Sequence, residues 1–280
     1  MKIAFGMIVF EGDYVLKECL EQIYPHAEQI LIAEGPVKYW QDQGKTTSED
    51  NTNQILDSFP DPENKIQVVH GQWDEKDDQS NAYMSLIRED IDYLWMIDSD
   101  EIYKHKDIEL MKHTLQQYNP TSVGVRSCTF YGGFNHYLTG FEQNKDNFLR
   151  IFKYEPNCTW LTHRPPTINY KNITEKRHIT SDTLYESTGV QMYHYSYTFP
   201  EQVRKKMNYY KAKVSRNMCI DNYYNNVFNP WINGDDDIKQ QIETQYKGVH
   251  EWKPQHRGDC FTAKFEGTHP QSIINTYNLN

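Results

Sequence analysis

The residues best suited to chemistry are Asp98 and Asp100, within the run Tyr93-Leu94-Trp95-Met96-Ile97-Asp98-Ser99-Asp100-Glu101. Its five leading apolar residues predict a buried strand, and an Asp-x-Asp pair closes it. In an open α/β sheet, ligands bind outside the carboxyl ends of the strands. Strand alternation is expected to put Asp98 and Asp100 on the same side, so that both carboxylates face one cation. Hard cations such as Mg²⁺ and Mn²⁺ take oxygen ligands and commonly bind one or two carboxylates together with substrate phosphates. The pair is therefore expected to form a metal–diphosphate site. The plainer alternative is a solvated strand end, since a two-letter motif recurs by chance. The buried run before it favours the site.

Two further segments carry candidate groups. His194 sits in the aromatic run Met192-Tyr193-His194-Tyr195-Ser196-Tyr197, just before a helix bearing Arg204, Lys205 and Lys206. The free N–H groups of a helix N-terminus favour anions. His194 is thus a candidate third metal ligand, and Lys205 or Lys206 a candidate diphosphate clamp. A hydrogen-bonded core histidine and solvated lysines are the competing reading. Trp160-Leu161-Thr162-His163-Arg164-Pro165-Pro166 reads as a stiff polar–aromatic loop. Trp160 and Arg164 are candidates for an acceptor cleft, with Trp160 stacking on a ring; a proline-stiffened surface turn is the alternative. Asp235-Asp236-Asp237 reads as a solvated acidic loop.

The first half of the chain alternates strand and helix patterns. Apolar runs at 3–10, 30–33, 66–69 and 93–97 predict buried strands. Between them, Asp13 is expected to cap a helix carrying Leu16, Cys19, Leu20 and Ile23. Asp78 is expected to cap one carrying Ala82, Leu86 and Ile87, and Asp107 one carrying Ile108, Met111, Leu115 and Tyr118. Continuous apolar strands separated by amphipathic helices imply a mostly parallel sheet covered on both faces. Strands are expected at 122–131, 148–154 and 190–197, with irregular polar chain from 155 to 185. Thr198-Phe199-Pro200-Glu201 opens a long helix with Val203, Met207, Tyr210, Val214 and Met218 as its stripe. Periodicity weakens beyond 221, so the expected organisation is a main domain over 1–220 and a helical or irregular extension over 221–280.

Composition narrows the function. The chain has 280 residues and a formal net charge of −10, which argues against a general nucleic-acid binder. Its 21 Tyr, 12 Phe and 6 Trp argue against disorder. Rings with a polar tip suit half-wet surfaces, and Trp160, Tyr193, Tyr195 and Tyr197 are expected around a cleft. The 5 Cys form no CxxC pair and no disulfide framework. With no membrane span and no signal-peptide cleavage pattern, a cytoplasmic protein is expected. No Gly-rich dinucleotide motif, phosphate loop or Gly-x-Ser-x-Gly elbow occurs.

The order of segments resembles family-two glycosyltransferases of the GT-A fold. The resemblance rests on Phe5–Val9, on Ala27 through Gly35, on Trp73 through Asn81-Ala82, and on Trp95-Met96-Ile97-Asp98-Ser99-Asp100-Glu101. Arg150-Ile151-Phe152 and His163 add to it. It implies a Rossmann-like sheet, a UDP- or GDP-linked nucleotide-sugar donor, Mn²⁺ or Mg²⁺, and a carbohydrate hydroxyl as acceptor. Asp100 would hold the metal, and Asp98 the ribose or the metal through water. Val9, Glu11, Glu34, Asn81, Lys205 and Lys206 would complete the donor site. Glu34 stands where the family commonly has Asp-x-Gly-Ser, and could accept a nucleobase N–H. Arg164 replaces the Glu that often follows the histidine, which leaves His163, Glu175 and Glu186 as undivided candidates for the base. Attack opposite the leaving group would invert the anomeric carbon. Two other readings are a haloacid-dehalogenase-type phosphohydrolase with a strand-end Asp nucleophile and a non-catalytic carbohydrate-binding protein.

Overall fold

The computed structural model describes residues 1–144, 148–213 and 218–279. Val214 of the expected helical stripe lies outside them. The chain divides into two compact units, each discontinuous in sequence. The first comprises residues 1–125, 147–191 and 269–280, the second 126–146 and 192–268.

The first unit is built on strands β1 (Ile3–Val9), β2 (Gln29–Glu34), β3 (Ile66–His70) and β4 (Tyr93–Met96). β1 pairs in parallel with β2 and β4, and β2 with β3. The apolar runs of β1, β2 and β4 dictate this, because a strand buried on both faces has no polar face to alternate; β3, expected to be buried, is only half-buried, with Gln67 and His70 exposed. β8 (Phe148–Lys153) joins antiparallel to β4, and the first residues of β6 (Ser122–Tyr131) join antiparallel to β8. The expected mostly parallel α/β sheet is present, and the carboxyl ends of β1 to β4 lie along one edge.

Helix α1 (Leu16–Ile23) buries Leu16, Cys19, Leu20 and Ile23, as its stripe predicts. Helix α4 (Lys76–Met84) presses so closely on β1 that a Cβ on Gly6 would lie 2.4 Å from the Tyr83 ring. Ala4, Leu31, Leu94 and Met96 share a core with Tyr83 and Met84 on that face, while Phe5 stacks on Trp95 at 5.2 Å. Short α2 (Lys38–Gln41) and α3 (Thr52–Ser58) frame a polar loop after β2. A two-residue β5 (Glu101–Ile102) leads to α5 (His105–Tyr118), and α12 (Gln271–Tyr277) returns to α1, where Tyr277 donates to the Tyr14 carbonyl at 2.8 Å.

The three expected caps are all displaced. Asp13 does not cap α1; its carboxylate accepts from the Asn51 backbone and side chain. Glu75, not Asp78, is the N-cap of α4, with Asp78 completing a reciprocal capping box. Lys104 precedes α5, and Asp107 lies inside its first turn. Acids belong to the first turn as well as to the cap, so composition placed the helix starts only to within a few residues. The stretch 155–185 is also more ordered than its polarity suggests. It holds the antiparallel pair β9 (Thr159–Thr162) and β10 (Thr167–Asn169), a short β11 (His178–Ile179) and α7 (Ser181–Thr188).

The second unit contains the rest of β6, β7 (His136–Leu138), a short α6 (Phe141–Asn144), β12 (Gln191–Tyr197), α8 (Pro200–Lys213) and β13 (Thr262–Lys264). Between the last two lie a π-helix (Tyr224–Phe228), α9 (Asn229–Asn233), α10 (Asp236–Tyr246) and α11 (Pro254–Arg257). Its core is aromatic: Tyr131 meets Phe228 and Trp231 edge-on at 5.3 and 5.0 Å. Asp235 caps α10 through the Ile238 amide at 3.0 Å, so the acidic triplet is a helix start rather than a solvated loop. All five cysteines are free, and among the described residues no helix is long and apolar enough to cross a membrane.

Candidate active site

The Asp-x-Asp pair does not continue β4. Pairing ends at Met96, the Ile97 amide still reaches the Gly6 carbonyl, and Asp98–Glu101 then closes a turn through a 3.0 Å bond from the Glu101 amide to the Asp98 carbonyl. The alternation argument therefore does not apply; a turn, not a strand, presents Asp98 and Asp100. Its third acid is turned inward. Glu101 is fully buried and grips the buried Arg150 of β8, whose Nε lies 2.8 and 3.1 Å from the two carboxylate oxygens. Glu101 also accepts from the Asp98 amide at 3.2 Å, which fixes the turn from within.

Arg150 links this buried pair to the surface. Its Nη2 lies 3.4 Å from Asp98 Oδ2, and the 57% exposed Arg164 reaches the same oxygen at 3.4 Å from outside. Burial alone would raise the Asp98 carboxyl, but the Arg150 and Arg164 guanidinium groups overcome it and hold Asp98 well below the usual carboxylate range. Asp98 is thus an ionised acceptor oriented by two arginines, and Asp100 stands half-buried beside it.

The neighbouring strand ends brace this turn. Gly12 approaches so closely that a Cβ there would lie 2.6 Å from Ser99 Oγ. Glu11, at φ 47°, donates its amide to Ser48 Oγ at 2.8 Å and pairs with Lys45 at 3.0 Å; the Gly12 amide donates to Thr52 Oγ1. Glu34 is buried and already engaged: it accepts from the Ser48 amide and Thr47 Oγ1, and its other contact is His70 Nδ1 at 2.9 Å. It anchors the 45–52 loop and does not stand open to a nucleobase. The Val9 carbonyl accepts from the Gly35 amide and, with the Ala33 and Gly35 carbonyls, from the buried Gln79 amide. Gln79 ties the ends of β1 and β2 together, a role with no signal in the sequence beyond its place one turn into α4.

Asn81, expected in the donor site, and Trp160, expected at the acceptor, are both turned to other uses. Asn81 makes a two-way clamp on the Trp160 backbone, at 3.0 and 2.8 Å, so it positions β9 instead of a ligand. Trp160 is buried and packs edge-on to Phe152 at 5.2 Å, which removes it as a stacking platform. Tyr193, Tyr195 and Tyr197 are likewise buried, so these rings replace aliphatics in the core. His163 is 4% exposed, with Nδ1 3.3 Å from Ser80 Oγ and its amide bonded to Asp77. Burial and Lys76 push the imidazole down to about 3, so it stays neutral and is a weak base. Glu175 pairs with Arg177 at 3.1 Å on the surface, and Glu186 is exposed on α7; no hydrogen bond or ion pair among the described residues joins either to Asp98.

His194, Lys205 and Lys206 belong to the second unit. His194 Nδ1 lies 3.3 Å from Thr129 Oγ1, which donates to Glu142 at 3.0 Å. Lys206 donates to Ser196 Oγ at 2.7 Å and sits 3.7 Å over the Tyr197 ring, while Lys205 is half-buried on α8. Among the described residues, no group of three or more His, Cys, Asp or Glu is gathered so that it could hold a metal ion. The carboxylates of the Asp98–Asp100 turn are the donors this site offers a cation. Two carboxylates fit a hard cation that completes its shell with phosphate oxygens and water, not an all-protein cage.

A mostly parallel sheet with an acidic turn at the carboxyl end of a buried strand defines the class of α/β protein with its site on the strand-end edge. Residues 46–182 match the model of Glycosyl transferase family 2, so the resemblance read from the sequence holds over the stretch carrying Asp98, Asp100, Arg150 and Arg164. No curated protein matches the chain. Among solved structures, S. aureus TarS 1–349 is 12% identical with a TM-score of 0.35, covering 46% of this chain and 36% of that one. Its complex with UDP-GlcNAc is also 12% identical, with a TM-score of 0.36 and coverage of 48% and 36%. The chain thus spans little more than a third of those structures.

Proposed function

We propose that the first unit binds a nucleotide-sugar donor at the carboxyl ends of β1 and β4 and transfers the sugar to a hydroxyl acceptor. The observation that carries this reading is the Asp98–Glu101 turn within the family-2 match: an ionised Asp98 between two arginines, with Asp100 beside it. Asp98 accepts hydroxyl hydrogen bonds from the donor ribose. Arg164, exposed and cationic, attracts the diphosphate and orients it. Asp100, with Asp98, would hold Mg²⁺ or Mn²⁺; when bound there, such a cation supplies Lewis-acid neutralisation of the leaving diphosphate. The buried Glu101–Arg150 pair keeps the turn from moving as charge develops. Direct attack of the acceptor hydroxyl on the anomeric carbon, opposite the leaving group, inverts that centre. His163, held neutral, orients and does not take the proton; the base is a further group.

A thermal-shift panel of UDP- and GDP-sugars with and without Mn²⁺ tests this reading. The expected outcome is a metal-dependent rise in Tm with at least one nucleotide sugar, lost in Asp100→Ala. A Tm that no nucleotide sugar moves, or a shift that Asp100→Ala retains, rejects the metal–diphosphate assignment. Turnover of an aryl phosphate that Asp98→Asn abolishes would replace it with the phosphohydrolase reading.

A further inference from the structure

The second unit carries a cleft of its own, of about 620 Å³, which the transferase reading does not use. One wall is the end of α10, from which Gln245, Tyr246 and Lys247 enter; the other is the segment opening α11, with Lys253, Pro254 and Gln255. Asp221 and Asp259 also line it. The volume is that of an ordinary small-ligand site.

The backbone around the cleft is irregular in several places. Asn222 and Lys247 are held at φ 49° and 55°, and the chain between them contains the π-helix Tyr224–Phe228. Lys247 is the left-handed cap that ends α10, and the π-turn widens the helix beside the cleft; turns of that kind gather at functional sites. The wall is also firmly seated. Gly248 lies against the Cys260 carbonyl, only 2.0 Å from where a Cβ would stand, and the Lys253 amide donates to the Met218 carbonyl at 2.8 Å.

The lining selects a ligand class. Two aspartates face two lysines, so the cleft has no net charge to favour a phosphate or a polycation. Asn226 binds the Asp221 carbonyl through its NH₂ group at 2.8 Å, which leaves its side-chain oxygen as an acceptor. The side chains of Asp221, Gln245, Gln255 and Asp259 make no hydrogen bond or ion pair among the described residues. Amides and carboxylates side by side offer paired donors and acceptors, the pattern that adjacent hydroxyls satisfy. Tyr246 and Pro254 supply the flat apolar contact that the C–H face of a pyranose requires. We infer that this cleft is a binding site for a neutral oligosaccharide. The inference stands on the second unit alone and holds whether or not the first unit is a transferase.

Saturation-transfer NMR and calorimetry on the full chain, with maltohexaose, chitotetraose and xylohexaose as probes and pyrophosphate as the anionic control, test it. Binding of at least one oligosaccharide without nucleotide or metal is expected, with affinity falling about tenfold or more in Gln245→Ala/Asp259→Ala. Both side chains are exposed, so an unchanged Tm in that variant shows that folding is intact. No saccharide binding at about 10 mM, equal binding in the variant, or tighter binding of pyrophosphate would each overturn the assignment. Loss of metal-dependent nucleotide binding in Asp100→Ala, with oligosaccharide binding retained, separates this cleft from the strand-end site.

Discussion

Both units bury clusters of charged and polar side chains, yet they use them differently. In the first, Glu101 and Arg150 are sealed in the core, but the cluster continues outward through Asp98 to the exposed Arg164. In the second, Glu142, His194, His250, Glu251 and Tyr197 are each less than a tenth exposed. There the Tyr197 hydroxyl donates to Glu251, and His250 Nδ1 lies 3.0 Å from the same carboxylate. Burial would raise Glu251 and does lower His250, but His250 and Lys206 hold the Glu251 carboxyl below its ordinary value. A histidine–glutamate cluster reads as a metal site from its residue types alone. Enclosure, with its own hydrogen bonds satisfied, makes it a structural network. What distinguishes a site is the path from buried charge to surface, not the inventory of acids and histidines.

The contrast can be broken at defined places. The largest effect is expected from Glu101→Ala, which leaves the buried Arg150 with only the 3.4 Å contact to Asp98 as its ion pair. A loss of about 3–5 kcal/mol by urea denaturation is expected, together with loss of nucleotide binding as the turn relaxes. Retained binding would show that the turn does not depend on its buried pair. Next comes Glu251→Ala in the second unit. It removes the carboxylate shared by His250 and the Tyr197 hydroxyl, leaving them their mutual 3.3 Å contact, and should cost about 1–3 kcal/mol, while the nucleotide-dependent Tm shift of the first unit stays intact. Loss of that shift would mean the enclosed network serves the donor site. The smallest effect concerns pH. His163 has its folded pKa depressed from 6.5 to about 3. Its neutral form therefore contributes stability that is present above pH 6.5 and is lost as pH falls from there toward 3. His163→Gln should flatten the stability profile between about pH 6 and 4, by roughly 1–3 kcal/mol at the acid end. Parallel profiles for the two proteins would show that the imidazole titrates normally.

Much of this arrangement was legible in the sequence. The buried parallel strands β1, β2 and β4 followed from apolar runs, because burial on both faces leaves a continuous signature; β3 followed as a strand, but it is only half-buried. Asp98 and Asp100 followed from the strand before them. The turn did not, since it depends on Glu101 folding inward to meet Arg150, a residue 49 positions away. The aromatics misled for a similar reason. Trp160 stands in a polar, proline-bounded segment, and only the Asn81 clamp, 79 residues distant, draws it into the core. Glu34 was expected to meet a nucleobase because it stands where the family resemblance puts Asp-x-Gly-Ser, but its partners Thr47 and Ser48 lie in a loop without periodicity. Local patterns report elements; long-range pairings decide which polar groups remain open.

The contact between Gly12 and Ser99 limits which sequences this site can sample. With 2.6 Å between the serine oxygen and the position of a Cβ on residue 12, the two positions share room for one small side chain. A Cβ on residue 12 would also lie 2.9 Å from Val9 Cγ2, so a library randomised at 12 and 99 should return glycine at 12 in most survivors, with alanine there only where residue 99 carries no Oγ-like branch and Val9 shifts. Residue 12 is therefore constrained from two sides, by the middle position of the acidic motif 87 positions later and by the end of β1.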